Sequence, residues 1–335
     1  MKTLTNTTKT IAFLVSVLWQ TLLIAGSPSG VVIGWGSNVS GNATGVPYAG
    51  LSTGVVEVTG QIITNAVAIA AGDQHALALR SDGTVVGWGA NRNGKATGSA
   101  STDYPYRASG VVIIDGHVLS NIIKITASRT YSQALKDDGT AISWGTLMNG
   151  GKICLALGLS GGVAIAAGMD NSLGLNGDGT LVSAGRNVPA GLSNIVAIAV
   201  SDVDYGDDLA LKKDGTVVEW GRNGIGTPAP NQATNVIAIA SGRWQKLALK
   251  RDGTVFAWGY YTNLLPGLTN VVAISVGDSH SLALKRDGTV VGWGLTDRLS
   301  LGVPAGLSNV VAIAAGDDFS LAITTNRAVA DKFRH

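Results

Sequence analysis

The stretch VVAIAAGDDFSLAIT runs from Val310 to Thr324, and GVVIGWG runs from Gly30 to Gly36. Together they spell one copy of a sentence that recurs along the whole chain, approximately V-A-I-A-A-G-x-x-x-S-L-A-L-K-x-D-G-T-V-V-G-W-G. The final copy holds its first two strands and stops before the W-G strand, and that missing strand stands at the start. A repeat array that begins mid-unit and ends with the complementary half predicts a ring, because joining the ends removes two exposed sheet edges. The expected fold is all-β, a seven-bladed β-propeller closed by pairing the N-terminal and C-terminal half-blades.

The W-G sites fall at Trp35, Trp88, Trp144, Trp220, Trp258 and Trp293, with Ala184-Gly185 in the remaining slot. Each interval is long enough for one small sheet. Glycine supplies 46 of 335 residues, which suits short strands joined by tight turns. Within a copy, Ala66 to Ala71 alternates small and branched side chains and reads as the innermost strand. Ala76 to Arg80 reads as a second strand buried on both faces. An Asp-Gly-Thr turn follows, at Asp82, Asp138, Asp178, Asp214, Asp252 and Asp287. Asp-Gly between two β runs predicts a hairpin in which Gly accepts positive φ and Asp tolerates it. The third strand carries the Trp, whose area predicts a filler between neighbouring blades.

The first 26 residues differ. Lys2 and Lys9 precede an apolar run from Ile11 to Ala25 and the small residues Gly26 and Ser27, the pattern of a secretory signal peptide. The domains expected are therefore a signal peptide at 1–26, a propeller at 27–326 and a C-terminal tail at 327–335. Export to the outside, the periplasm or the cell surface follows, with no membrane span once the signal is removed. Loss of the two leader lysines takes the formal charge from +2 to 0, so no basic field is left to hold nucleic acid. Cys154 is the single cysteine, which excludes an internal disulfide and reads as a small buried apolar residue.

The pattern resembles the regulator of chromosome condensation repeat family of seven-bladed propellers. The residues that carry the resemblance are the H-x-L-A-L segments at His75 to Leu79 and His280 to Leu284, the D-G-T turns, and the W-G-x-N-x-x-G loop at Trp88 to Gly94. In style it is similar to secreted bacterial members such as beta-lactamase inhibitor protein II. Departures are Ala184 for Trp, Ser128 and Ser201 for the loop Gly, and the uneven period. The resemblance implies a protein-binding face in the secreted members and an exchange factor for a small GTPase in the wider family.

Function is expected on the loops that join the innermost strand to the second, because loops on a rigid scaffold vary while the strands keep their pattern. Three residues vary in each copy: Asp73-Gln74-His75, Arg129-Thr130-Tyr131, Met169-Asp170-Asn171, Arg243-Trp244-Gln245, Asp278-Ser279-His280 and Asp317-Asp318-Phe319. A longer fourth loop runs from Asp202 to Asp208. The partner-binding residues expected from them are His75, Tyr131, Asp170, Tyr205, Asp207, Trp244, His280, Asp318 and Phe319. Around this acidic and aromatic centre, Arg92, Lys95, Lys152, Arg186, Arg222 and Arg298 form an expected basic rim. His75 and His280 also read as structural, hydrogen-bonded residues, because they recur at one repeat position. In the fourth loop, Asp202, Asp204, Asp207 and Asp208 form a calcium candidate by oxygen count. Their spacing is not that of an EF-hand, and an exposed acidic loop reads equally well.

Enzyme chemistry has little in the sequence to build on. Gly158-Leu159-Ser160-Gly161-Gly162 matches G-x-S-x-G, but it precedes an inner strand rather than joining a strand to a helix, and Ser160 aligns with Ser193 and Ser308 of other copies. No His or Cys cluster has metal-ligand spacing, and no Gly-rich stretch opens a helix after a strand. No cofactor is expected. Insertions at 53–61 and 109–117 predict two neighbouring hairpins on the Asp-Gly face or extended outer strands. Asn38-Val39-Ser40 and Asn42-Ala43-Thr44 have sequon form. The reading is a secreted, non-enzymatic propeller whose partner is a protein, with a carbohydrate-binding module as alternative and an exchange factor below it.

Overall fold

The computed structural model describes residues 28–334, apart from 47–49, 103, 105, 147–157, 202–206, 222–223, 225, 261, 263, 266 and 295–301. The leader, Cys154, Asp202, Asp204, Tyr205, Lys152, Arg222 and Arg298 lie outside the described residues. The first blade runs outward through Ala66–Ala71, His75–Arg80, Val85–Ala90 and Arg107–Val111, all antiparallel. Five further sheets repeat the plan, beginning at the inner strands Ile122–Ala127, Gly162–Ala167, Ile195–Ala199, Val236–Ser241 and Val271–Val276.

The seventh blade is built from both ends of the chain. Its order is Val310–Ala315, Phe319–Thr324, Val31–Ser37 and Leu51–Val55, with Val31 opposite Thr324 and Trp35 opposite Ser320. Its inner strand packs against those of the sixth and first blades, so the seven inner strands close a circle. Each half-blade alone would leave unpaired backbone donors and acceptors; their pairing satisfies both edges.

The Asp-Gly-Thr turns hold neighbouring blades as well as hairpins. Gly83 N donates to Arg80 O at 3.0 Å and takes φ +79°, a three-residue loop ending in a left-handed glycine. Only the glycine takes positive φ. The aspartate instead accepts from the following threonine, with Asp82 Oδ1 2.9 Å from Thr84 N and 2.6 Å from its Oγ1. The freed glycine carbonyl then accepts from the first inner-strand amide of the next blade, as Gly83 O does from Ile122 N at 3.1 Å and Gly139 O from Gly162 N at 3.1 Å.

The tryptophans fill the seams between blades. Trp144 packs with Leu77 and Leu79 of the preceding blade, Trp220 with Leu173 and Leu175, Trp258 with Leu209 and Leu211, Trp293 with Leu247 and Leu249, and Trp35 with Leu282 and Leu284. Trp88 lies among Val32, Ala43 and Leu321 of the closing blade. The core is thus a ring of small clusters rather than one mass.

Each long insertion forms both expected shapes. Leu51–Val55 and Arg107–Val111 extend their blades as fourth strands, and short hairpins follow at Glu57–Val58 with Gln61–Ile62 and at Ile113–Ile114 with His117–Val118. The tail contains the helix Arg327–Asp331, capped by Asn326, whose side chain accepts from the amides of Ala328 and Val329. Val329 and Ala330 bury beside Val31, Ile33 and Val55. The sequons are structural. Asn38 and Asn42 are buried, and their side-chain amides donate to Thr44 Oγ1 at 2.8 Å and to Ser37 O at 2.8 Å. The folded ring therefore offers neither for glycosylation.

Candidate functional site

Among the described residues, the inner strands end in backbone that crowds the axis. A methyl group on Gly277 would lie 2.0 Å from the carbonyl oxygen of Gly316, and one on Gly316 would lie 2.7 Å from that of Gly72. Glycine is required by this approach. Where serine replaces it at position 201, the hydroxyl donates to Gly242 O at 3.2 Å and turns a close contact into a hydrogen bond.

The three variable loop residues divide by position. The first faces the axis: Asp73, Arg129, Arg243, Asp278 and Asp317 line a cavity of about 100 Å³ together with the small residues of the inner strands. That volume suits about three waters, not a drug-sized ligand. Arg129 Nε is 3.5 Å from Asp73 Oδ2, and Arg243 Nη1 is 3.2 Å from Asp278 Oδ2. Asp317 sits between the two acids, within side-chain hydrogen-bond reach of both, and partial burial, together with this crowding, raises its carboxyl to about 8.

The third residue begins the second strand, and strand alternation turns it inward. His75, Tyr131, His280 and Phe319, all expected on the binding face, are buried and bridge to the next blade instead. His75 Nε2 lies 2.7 Å from Ser132 Oγ, His280 Nε2 lies 2.7 Å from Ser320 Oγ, and the Tyr131 hydroxyl donates to Asn171 O at 2.7 Å. Phe319 packs with Ala76 and Trp88 across the closure. Desolvation holds both imidazoles below the ordinary histidine value, His280 at about 4. These positions vary because each must match its neighbour across a seam.

The fourth loop gives the same correction. Asp208 is buried, accepts from Asn171 Nδ2 at 2.7 Å and faces Arg186 at 3.7 Å, and burial pushes its carboxyl up to about 6 despite that cation. Asp207 pairs with Lys246. Among the described residues no group of three or more His, Cys, Asp or Glu is arranged to hold a metal ion. Arg186, assigned to the rim, is buried and pairs with Asp170 at 2.9 Å; Lys95 is buried and donates to Arg129 O at 2.8 Å. Arg92 remains exposed, 5.8 Å above the Tyr106 ring.

What the face displays is the second loop residue. Asp170 and Asp318 are half-buried, and Trp244 is 41% exposed. Trp244 lies 5.6 Å from the ring of Tyr260, itself 76% exposed, and 5.0 Å from the Arg243 guanidinium. Tyr260 follows the Trp258-Gly259 pair, and its amide donates to Trp244 O at 2.8 Å, which fixes the two rings side by side. Sequence reading passed over Tyr260; an aromatic directly after W-G, on a loop reaching this same face, was the available signal. Ser160 is an exposed turn residue whose amide donates to Asn176 Oδ1 at 3.0 Å. Gly161 behind it takes φ +64°, as asparagines 194, 235, 270 and 309 do in equivalent connectors, so the G-x-S-x-G match is a repeat turn.

The model of the regulator of chromosome condensation (RCC1) repeat matches residues 66–95 and 271–298, each beginning at an inner strand. A Rho GTPase-activating protein, gacGG, of Dictyostelium discoideum is 31% identical over 128 residues, which is 37% of this chain and 9% of that protein. Among solved structures, human WBSCR16 superposes with a TM-score of 0.69 at 18% identity, covering 88% of this chain and 99% of that one. Prp20p of Saccharomyces cerevisiae, studied for its binding to Gsp1p and histones, gives 0.69 at 19% identity, covering 92% and 94%. In its complex with Kap60 the same yeast RCC1 gives 0.70 at 19% identity, covering 91% and 92%. With the repeat matched in register with the first and sixth blades and the fold shared along nearly its full length, this chain is a β-propeller that carries the regulator of chromosome condensation repeat.

Proposed function

We propose that this propeller is an exported, non-enzymatic binding protein that holds a protein partner on its inner-loop face. The observation that carries this reading is the Trp244 and Tyr260 pair beside Arg243, an aromatic and cationic group held in the open by backbone hydrogen bonding. Trp, Tyr and Arg are the side chains that dominate binding energy at protein interfaces. The loops around them are fixed by the glycine belt and by the bridges between blades, so little ordering entropy is lost on association. Prp20p, which shares the ring, binds proteins. The leader-like first 26 residues and the neutral balance that remains support export over a role as an intracellular exchange factor.

The test is affinity capture from the producing culture with the mature protein and with a Trp244→Ala, Tyr260→Ala double variant of verified fold, beside a glycan array. A protein retained by the first and lost by the second is the expected result, with affinity falling at least about 30-fold for a hot spot of about 2 kcal/mol. Equal retention by both rejects this face. Glycan binding without a protein partner replaces the reading with a carbohydrate module.

A further inference from the structure

We propose that the seam joining the sixth, seventh and first blades is a proton-dependent latch, in which Asp317 holds one proton between Asp73 and Asp278 and its loss loosens the docking of three axial loops. The geometry favours a proton there. The buried Oδ1 of Asp317 meets no N–H or O–H donor among the described residues, while the carboxylates on either side stand within hydrogen-bond reach. Two carboxylates in such contact cannot both remain ionised at low cost, and a shared proton supplies the missing donor.

The three loops can splay to relieve the repulsion only by giving up close backbone contacts. Gly277 and Gly316 leave no room for a methyl group against the next blade's carbonyl, and Ser279 Oγ donates to Asp317 O at 3.4 Å. Asp278 N further donates to Gly316 O at 3.4 Å. The surrounding charges are Arg243 on Asp278, Arg129 on Asp73, and Asp318, which adds negative potential beside Asp317. His280 and His75 lie beneath the sixth and first loops and are held neutral by burial. With the proton held, the two arginines balance Asp73 and Asp278 in the cavity lining; without it the lining carries one net negative charge.

The raised carboxyl fixes the direction of the effect. The folded ring keeps a proton that the unfolded chain gives up near pH 4, so this contribution to stability is lost as pH rises toward about 8 and is level above it. Asp208, raised to about 6, acts in the same direction at lower pH, and His75 and His280, both held below the ordinary value, act oppositely until the imidazoles of the unfolded chain have lost their protons, near pH 7.5. The interval from about pH 7.5 to 8.5 therefore reports the carboxylate trio.

The experiment is urea unfolding of the whole protein across that interval, for wild type, Asp317→Asn and the surface control Asp137→Asn. In wild type the unfolding constant is expected to rise about threefold per pH unit around pH 8, where half a proton is coupled. Asp317→Asn, whose amide donates to both neighbours without titrating, is expected to flatten the profile and to be more stable than wild type at pH 9. Asp137→Asn is expected to keep the wild-type slope. Carbon-13 NMR of the wild-type aspartate carboxyls reads the same group without a variant. One carboxyl titrating near pH 8 supports the latch, whereas none titrating above pH 6.5, or an unchanged slope in Asp317→Asn, overturns it.

Discussion

The seam between the seventh and first blades and the seam between the second and third are built from the same repeat and differ most at the tryptophan slot. At the first, Trp88 is fully buried among Val32, Ala43, Leu321 and Ile323, and its indole Nε1 donates to Asn42 O at 3.0 Å. At the second, Ala184 holds the equivalent place. Among the described residues its hydrophobic cluster has Leu135 and Ala141 buried and Ile123, Leu159, Ile165 and Ala184 half-covered, and the Tyr131 hydroxyl bridges the seam to Asn171 O. Gly174 replaces the usual second-strand alanine and lets Leu159 sink in, since a methyl group there would meet Leu159 Cδ2 at 2.7 Å. A leucine from a connector does not replace an indole: the strand Leu181–Ala184 has no buried residue, whereas Val85–Ala90 has all but its last buried. The ring is closed everywhere, yet its cohesion is unequal, and a circle opens at its weakest joint.

The sharpest way to break the contrast is Trp88→Ala. Loss of the indole leaves a cavity at the closure and strands the carbonyl of Asn42, and the expected cost is about 3–5 kcal/mol, read by urea denaturation. A cost below about 1 kcal/mol would mean that strand pairing, not the tryptophan, holds the closure. Ala184→Leu addresses the other seam. Half-covered surroundings accept the larger side chain, and partial burial of three added carbons is expected to stabilise the protein by about 1 kcal/mol. The same substitution should slow amide exchange in Leu181–Ala184 while leaving Val85–Ala90 unchanged. Destabilisation by Ala184→Leu would show that the slot is already filled by its neighbours.

Strand order and closure were legible because they depend on pattern: the split repeat at Val31 and Val310 demands one mixed blade, and the recurring Asp-Gly-Thr demands hairpins. The loop residues were legible only in part. Asp73, Arg129, Arg243, Asp278 and Asp317 stand at one repeat position, and the sequence marks that position as variable. That Asp317 shares a proton with two acids more than 30 residues away along the chain follows from ring geometry alone. His75 and Phe319 were misplaced for a physical reason. Variation at a site reads as surface, but here it reflects pairing across seams whose partners, Ser132 for His75 and Ala76 for Phe319, lie on the next blade. Trp244 and Gln245 show how fine the boundary is, since one step along the chain moves a residue from solvent to interior.

The smallest expected effect tests whether the unequal seams yield in order. Each turn aspartate is held below the usual carboxylate range, chiefly by the threonine hydroxyl that donates to it. A carboxyl lowered on folding contributes stability that is complete above its unfolded pKa, near 4, and is lost as pH falls through the lower folded value. Acid therefore weakens every turn, including the glycine carbonyls that hook Ile122 and Gly162 of the following blades. The seam behind Gly83 also contains Trp144 against Leu77 and Leu79, whereas the seam behind Gly139 has no tryptophan, the thin cluster around Leu135 and the Tyr131 bridge to Asn171. Hydrogen exchange corrected for intrinsic rates should show Gly162–Ala167 losing protection at a higher pH than Ile122–Ala127. At neutral pH, Asp138→Ala should reproduce that loss locally, while Asp82→Ala leaves its tryptophan-filled seam protected. Equal loss around the ring in acid would mean that the blades open together and that Ala184 does not set where the circle parts.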